Sequence, residues 1–202
     1  MYDAYVLARN LDINTCVYCN RNYTSTVKKI TRPEFDHYFS QAQHPLLALS
    51  FFNLIPSCSI CNSNIKGKKE LILKDNLHPY IDNCLEDFVF SYDYDIKVKD
   101  SLVSKVKYLR KGSKVEKTFI FFKINEVYNA HTEELRDLIK IRETFSDRYL
   151  EVLSKTVLSG VRIGKDELYK LAFGVHLDEK NISKRPFSKF KKDILIELGI
   201  IK

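Results

Sequence analysis

Four cysteines and one Asp-His step are the residues whose types and spacing could do chemistry. The cysteines stand as Cys16-x-x-Cys19 in TCVYCNRNY and Cys58-x-x-Cys61 in PSCSICNSN. Two such knuckles supply four thiolates, the set that a tetrahedral structural zinc ion takes. Thirty-eight residues separate them, more than the loop of a simple zinc finger, so the metal would tie two distant segments together. The competing reading is a set of buried cysteines or a redox pair. The same spacing repeated on either side of the Asp-His step argues against accident. Cys84, left over in DNCLED, reads as an inert small hydrophobe.

The Asp-His step is Asp36-His37 in PEFDHYFSQ. A neutral imidazole can take a proton from water near neutral pH, which makes His37 a candidate general base. A carboxylate is an oxygen ligand for a hard cation such as magnesium or manganese, which makes Asp36 a candidate metal ligand. In an extended chain neighbouring side chains point to opposite faces, so base and cation would address a substrate from two sides. The plainer alternative is a polar turn.

These residues need elements to position them. MYDAYVLARNLD reads as a short helix, and VYCNRNYTSTVKKI as a β-ribbon around the first knuckle. Pro33 biases the chain before it away from helix, so TRPEFDHYF enters an extended segment. HPLLALSFFNLIPS reads as a short helix followed by a strand that Pro56 ends. CSICNSNIKGKKELI reads as a helix beginning at the second knuckle, with Gly67 as its break. From SYDYDIKVKD through SKVKYLRKGSKVEKTFIFFKI the chain alternates and is rich in β-branched and aromatic residues. An antiparallel hairpin or meander is expected there, with KGSK as a turn. Beyond Asn125 the apolar spacing is helical, and KDELYKLAFG and SKFKKDILIELGII add two more helices. The fold class is therefore α+β, with a soft boundary near 80 between residues 1–80 and 81–202. The two could also form one domain.

Composition narrows the setting. The chain has 202 residues, 45% hydrophobic, enough to bury a core. No apolar run reaches membrane-span length and the N-terminal segment lacks signal-peptide character, so a cytoplasmic protein is expected. The net charge of +7 favours a polyanionic partner without naming one.

The order of features in residues 16 to 69 resembles the HNH endonucleases: knuckle, Asp36-His37, the Asn53-Leu54 of FFNLIPSC, then a second knuckle running into CNSNIKGKK. The resemblance covers the first third of the chain. It implies a zinc-stabilised ββα-metal core, treble-clef-like, around one catalytic Mg2+ or Mn2+, with His37 as base and Asp36 as ligand. It also implies that Asn62, just after the second knuckle, gives the cation a neutral second ligand. Asn53 would hold the loop carrying the base through backbone hydrogen bonds. Lys66, in the Lys-Gly step, would contact phosphate, and Lys68 and Lys69 could follow the nucleic-acid backbone. The interval from Asn62 to Lys-Gly is one residue longer than is usual in that family, which makes Asn64 an alternative ligand. His78 in NLHPY is another. His44, His131 and His176 are read as non-catalytic, and SKRPFSKFKK as either a nucleic-acid contact or an amphipathic helix start.

Three functions are then in view. The first is a metal-dependent endonuclease acting on DNA, with RNA not excluded, alone or as the cutting arm of a complex with a regulatory or ATPase partner. Small chains of this kind resemble effectors of bacterial anti-phage and restriction systems. The second is a zinc-stabilised nucleic-acid-binding module without catalysis, and the third is a scaffold for a protein partner. The Asp-His step with Asn62 separates the first from the others, because a binder needs basic side chains but no imidazole beside a carboxylate.

Overall fold

A computed structural model of the chain describes residues 3–95, 101–144, 149–152, 155, 156, 158, 160 and 164–201. The architecture is mixed α and β, with two small two-stranded sheets among the described residues. By the density of its internal contacts the chain falls into two compact units. One comprises Met1–Phe88 and Tyr108–Ile124, the other Val89–Lys107 and Asn125–Lys202. Among the described residues no helix is long and apolar enough to cross a membrane.

The first unit opens with helix α1, Ala4–Leu11. Asp3 caps it by accepting the Tyr5 amide at 2.8 Å, and Asp12 ends it in the left-handed region. The β-ribbon expected around the first knuckle does not form. That stretch holds only isolated bridges, Thr15 with Tyr23 and Val27 with Thr31. Asn20 and Lys28 adopt left-handed backbone there, φ 47° at each, which interrupts any extended run.

Strand β1, Glu34–His37, pairs antiparallel with β2, Leu54–Ser57, in the register Asp36 opposite Ile55 and His37 opposite Leu54. The connection carries two 3-10 turns, Pro45–Leu47 and Phe51–Asn53, where one short helix was expected. Pro56 does not end β2 but lies inside it, opposite Phe35. On the edge of β2 that faces away from β1 the Pro56 carbonyl accepts the Val17 amide at 3.4 Å, and on such an edge a residue without an N–H is tolerated.

The helix after the second knuckle is a π-helix, Ile60–Lys66. Gly67 ends it with φ +51°, donating its amide to the Asn62 carbonyl at 2.7 Å. The unit closes with α2, Lys114–Phe121, capped by Ser113, in a region whose sequence reads as strand. KGSK is thus a helix start rather than a hairpin turn. The aromatic residues that suggested a strand serve the core instead: Phe119 packs on Phe88 at 4.6 Å and Phe122 stacks on Tyr18 at 4.2 Å.

In the second unit, whose borders leave the end residues Phe88, Tyr108 and Ile124 in the first, β3 (Phe88–Asp95) pairs with β4 (Ser101–Tyr108). So short a connection allows only an antiparallel pair. Residues 96–100, between them in the chain, lie outside the described residues. Helices α3 (Ile124–Asn129), α4 (Thr132–Thr144), α5 (Tyr149–Val152), α6 (Lys165–Phe173) and α7 (Ser188–Glu197) follow. Phe90, Tyr128 and Phe190 meet at ring distances of 4.6 to 5.4 Å and centre this core. Asp193 on α7 accepts the Phe90 amide at 2.9 Å and holds Lys189 at 2.7 Å.

Candidate functional site

The two knuckles converge. The sulfurs of Cys16, Cys19, Cys58 and Cys61 all lie within 4.8 Å of one another, and all four residues are buried. A tetrahedral zinc thiolate with Zn–S of about 2.3 Å needs sulfurs about 3.8 Å apart, so small adjustments suffice. Tight turns set the spacing, with Asn20 donating to the Cys16 carbonyl at 2.7 Å and Asn62 to the Cys58 carbonyl at 2.9 Å. The Asn22 amide donates to Cys58 Sγ at 3.3 Å and the Cys61 N–H at 3.5 Å, contacts suited to a thiolate. Contacts from the other three cysteines, reinforced by Asn22, hold the Cys58 thiol well below its ordinary pKa. Burial, with the neighbouring thiols, pushes Cys16 well above it. Without a cation the four cannot all ionise, and a dication removes that conflict. The group can hold a structural metal such as zinc.

Alternation along β1 puts Glu34 and Asp36 on one face and Phe35 and His37 on the other. His37 is half-buried, and its Nε2 lies 3.1 Å from the Ala48 carbonyl oxygen. A carbonyl only accepts, so Nε2 carries the proton and the neutral ring keeps its lone pair on Nδ1. The connection that supplies this carbonyl is pinned by Asn53, which is 2% exposed. Its side chain accepts the Phe39 amide at 2.7 Å and donates to the carbonyls of Phe39 and Leu47 at 3.1 and 3.0 Å.

Asp36 does not present an open carboxylate. It is 2% exposed, its Oδ2 accepts the Tyr18 hydroxyl at 2.6 Å, and its Oδ1 accepts the Lys66 ammonium at 2.8 Å. The expectation that Lys66 contacts phosphate is corrected by the same geometry. Its ammonium is buried and also donates to the His37 carbonyl at 2.8 Å. Lys68 and Lys69 do lie at the surface, Lys69 donating to the Ile65 carbonyl at 3.1 Å.

No family model, curated protein or solved structure matches this chain. What the site can do therefore rests on its own geometry.

Asn62 faces Glu34 rather than Asp36. Its Nδ2 donates to Glu34 Oε2 at 2.9 Å, and Ser63 Oγ donates to the same oxygen at 3.0 Å. Asn62 and Lys66 are four apart in a helix whose ladder runs i to i+5, so both face β1, one over Glu34 and one over Asp36. Asn64 is exposed. His78 has both ring nitrogens engaged, Nε2 donating to the Phe52 carbonyl at 2.9 Å and Nδ1 accepting the Tyr80 amide at 3.3 Å. It offers no lone pair to a cation, and burial holds its pKa below the ordinary value. In SKRPFSKFKK, Lys189 pairs with Asp193, Lys191 reaches Glu134 at 2.5 Å and Lys192 reaches the Leu177 carbonyl at 2.9 Å. That run is largely engaged within its own unit.

Sequence reasoning missed Glu34, Ser63, Tyr18 and the Ala48 carbonyl. For Glu34 the signal was present, since a residue two before Asp36 in a strand shares its face.

Proposed function

We propose that the chain is a metal-dependent endonuclease of the HNH type, hydrolysing phosphodiester bonds of DNA with His37 as the general base. The observation that carries this reading is the Nε2 bond from His37 to Ala48, which leaves Nδ1 as the basic nitrogen on a half-exposed ring. A ring so fixed suits abstraction of a proton from water, and it is unneeded in a zinc-stabilised binder or scaffold. The ribbon and the helix after the second knuckle support it too, with Asn53 holding the connection between the strands.

A hard divalent cation, Mg2+ or Mn2+, would supply positive charge for the transition state and the departing sugar oxygen. Oxygen donors suited to it are present in the Glu34 carboxylate, the Asn62 amide and the Ser63 hydroxyl. Asp36, charge-paired under Lys66, suits it less. His37 Nδ1 takes the water proton, and the Ala48 carbonyl keeps the ring in the required tautomer. A regulatory or ATPase partner and a role in anti-phage defence belong to the reading by analogy alone. A protein-docking function has its own support in the exposure of Leu46 (97%), Leu49 (73%) and Phe52 (57%) beside the site.

The test is cleavage of supercoiled plasmid with Mg2+ or Mn2+, with EDTA as control. Wild-type protein should cut, and zinc-replete, folded His37→Ala should lose on the order of 10²–10⁴-fold in rate. Undiminished cutting by His37→Ala, or no cutting by wild type with any divalent cation, rejects the proposal.

A further inference from the structure

Lys66 makes two bonds of equal length with one buried ammonium, to Asp36 Oδ1 and to the main-chain carbonyl of His37, both at 2.8 Å. The lysine is 3% exposed and the aspartate 2%. Tyr18 closes the far side of the carboxylate with its hydroxyl at 2.6 Å, and its own ring is covered by Phe122. A buried ion pair is weak evidence for stability, because the attraction between its charges is offset by the water they lose. An apolar pair of similar volume would fill the space as well. What such a pair could not do is hold the carbonyl of the residue after Asp36.

We propose that Lys66 is a positioning residue for His37, acting through the His37 carbonyl with Asp36 as the counter-charge that orients its ammonium. His37 is the last residue of β1, and its ring reaches Ala48 only if the main chain there keeps its place. Lys66 fixes that point from the helix. The same helix, one turn earlier, directs Asn62 to Glu34. A single ammonium therefore couples the base to the helix that bears the oxygen donors for a cation.

The inference rests on the reading of His37 as a base, and its test has one arm independent of cleavage. The variant is the neutral pair Asp36→Asn with Lys66→Met, since Lys66→Met alone would strand a buried carboxylate. In ¹⁵N NMR of zinc-loaded protein, wild-type His37 should show the Nε2–H tautomer. The paired variant should show a mixture of the two tautomers. In plasmid cleavage its kcat should fall on the order of 10- to 100-fold, as expected for a displaced reacting group, with KM for DNA within about twofold. An unchanged tautomer with kcat within about twofold of wild type overturns the proposal. If the pair fails to fold, Asp36→Asn with Lys66→Gln reads the same outcomes, since it too is neutral and its side chain, one bond shorter than lysine, no longer reaches both partners of the ammonium. If wild type does not cut DNA but the tautomer still shifts, the clamp stands and the nuclease reading falls.

Discussion

Glu34 accepts the Asn62 amide at 2.9 Å, while Asp36, two residues along the same strand face, is closed off by Tyr18 and Lys66. The two carboxylates should therefore respond differently to mutation. Glu34→Gln should leave thermal unfolding nearly unchanged and raise the Mg2+ or Mn2+ concentration needed for half-maximal cleavage at least several-fold. Asp36→Ala should instead destabilise by about 3–5 kcal/mol, the usual penalty for leaving a buried charge unpaired. Metal titrations of cleavage alongside urea unfolding decide between them. An unfolding defect in Glu34→Gln with normal metal dependence would reverse the assignment.

Purified protein should carry close to one equivalent of zinc, and chelation should unfold the first unit, because metal affinity at such sites is folding free energy. Cys58→Ser should be insoluble or lack zinc. Elemental analysis after dialysis, with thiol titration, is the check. Less than half an equivalent, with four freely titrating thiols, would dismiss a structural metal.

Asn53→Ala leaves the Phe39 amide and the carbonyls of Phe39 and Leu47 without their side-chain partner. The expected loss is about 1–3 kcal/mol of stability, the cost of roughly one buried polar group left unsatisfied, because these three groups are only part-buried and regain some bonding from water. Cleavage should fall as well, since the connection bearing Ala48 is loosened. Urea denaturation curves measure the first effect, and an unchanged midpoint would show that the pinning is unimportant.

His78 gives a pH dependence with a definite sign. Burial lowers its pKa in the folded state, so below about 6.5, the ordinary histidine value, the unfolded chain binds more protons. Stability from this group is complete above that pH and is lost as pH falls toward the folded-state pKa. His176 shifts the same way, for the same first cause. Comparing wild type with His78→Asn in urea between pH 7.5 and 5.5 isolates the contribution of His78. The variant should lose less stability over that interval, and identical slopes would refute the assignment.

Much of the first unit could be read from local chemistry. Pro33 before a strand, two matched knuckles and Gly67 after a helix act within a few residues of themselves. Misread elements had competing signals or distant causes. KVEKTFIF is rich in strand-favouring residues, but Ser113 followed by Glu116 is a capping-box start. The Ser113 hydroxyl does accept the Glu116 amide at 3.3 Å. Asp36 reads as a ligand because His37 follows it, whereas the partners it has in the fold stand eighteen residues before it, at Tyr18, and thirty after it, at Lys66. No local pattern reports a contact of that range. Glu34 was legible through strand alternation alone.

The first unit takes its last residues from far along the chain. Phe122, fully buried, covers the ring of Tyr18, and the Thr118 hydroxyl accepts the Leu77 amide at 2.8 Å. A ribosome therefore releases His37, Asn53 and Asn62 before it releases Phe122, which covers Tyr18, the residue that closes the Asp36 carboxylate. Until residue 122 or so has left the exit tunnel, the nascent chain lacks the ring that covers Tyr18. A transcript broken near codon 90 would yield a product without that cover and without the Thr118 hydroxyl bound to the Leu77 amide.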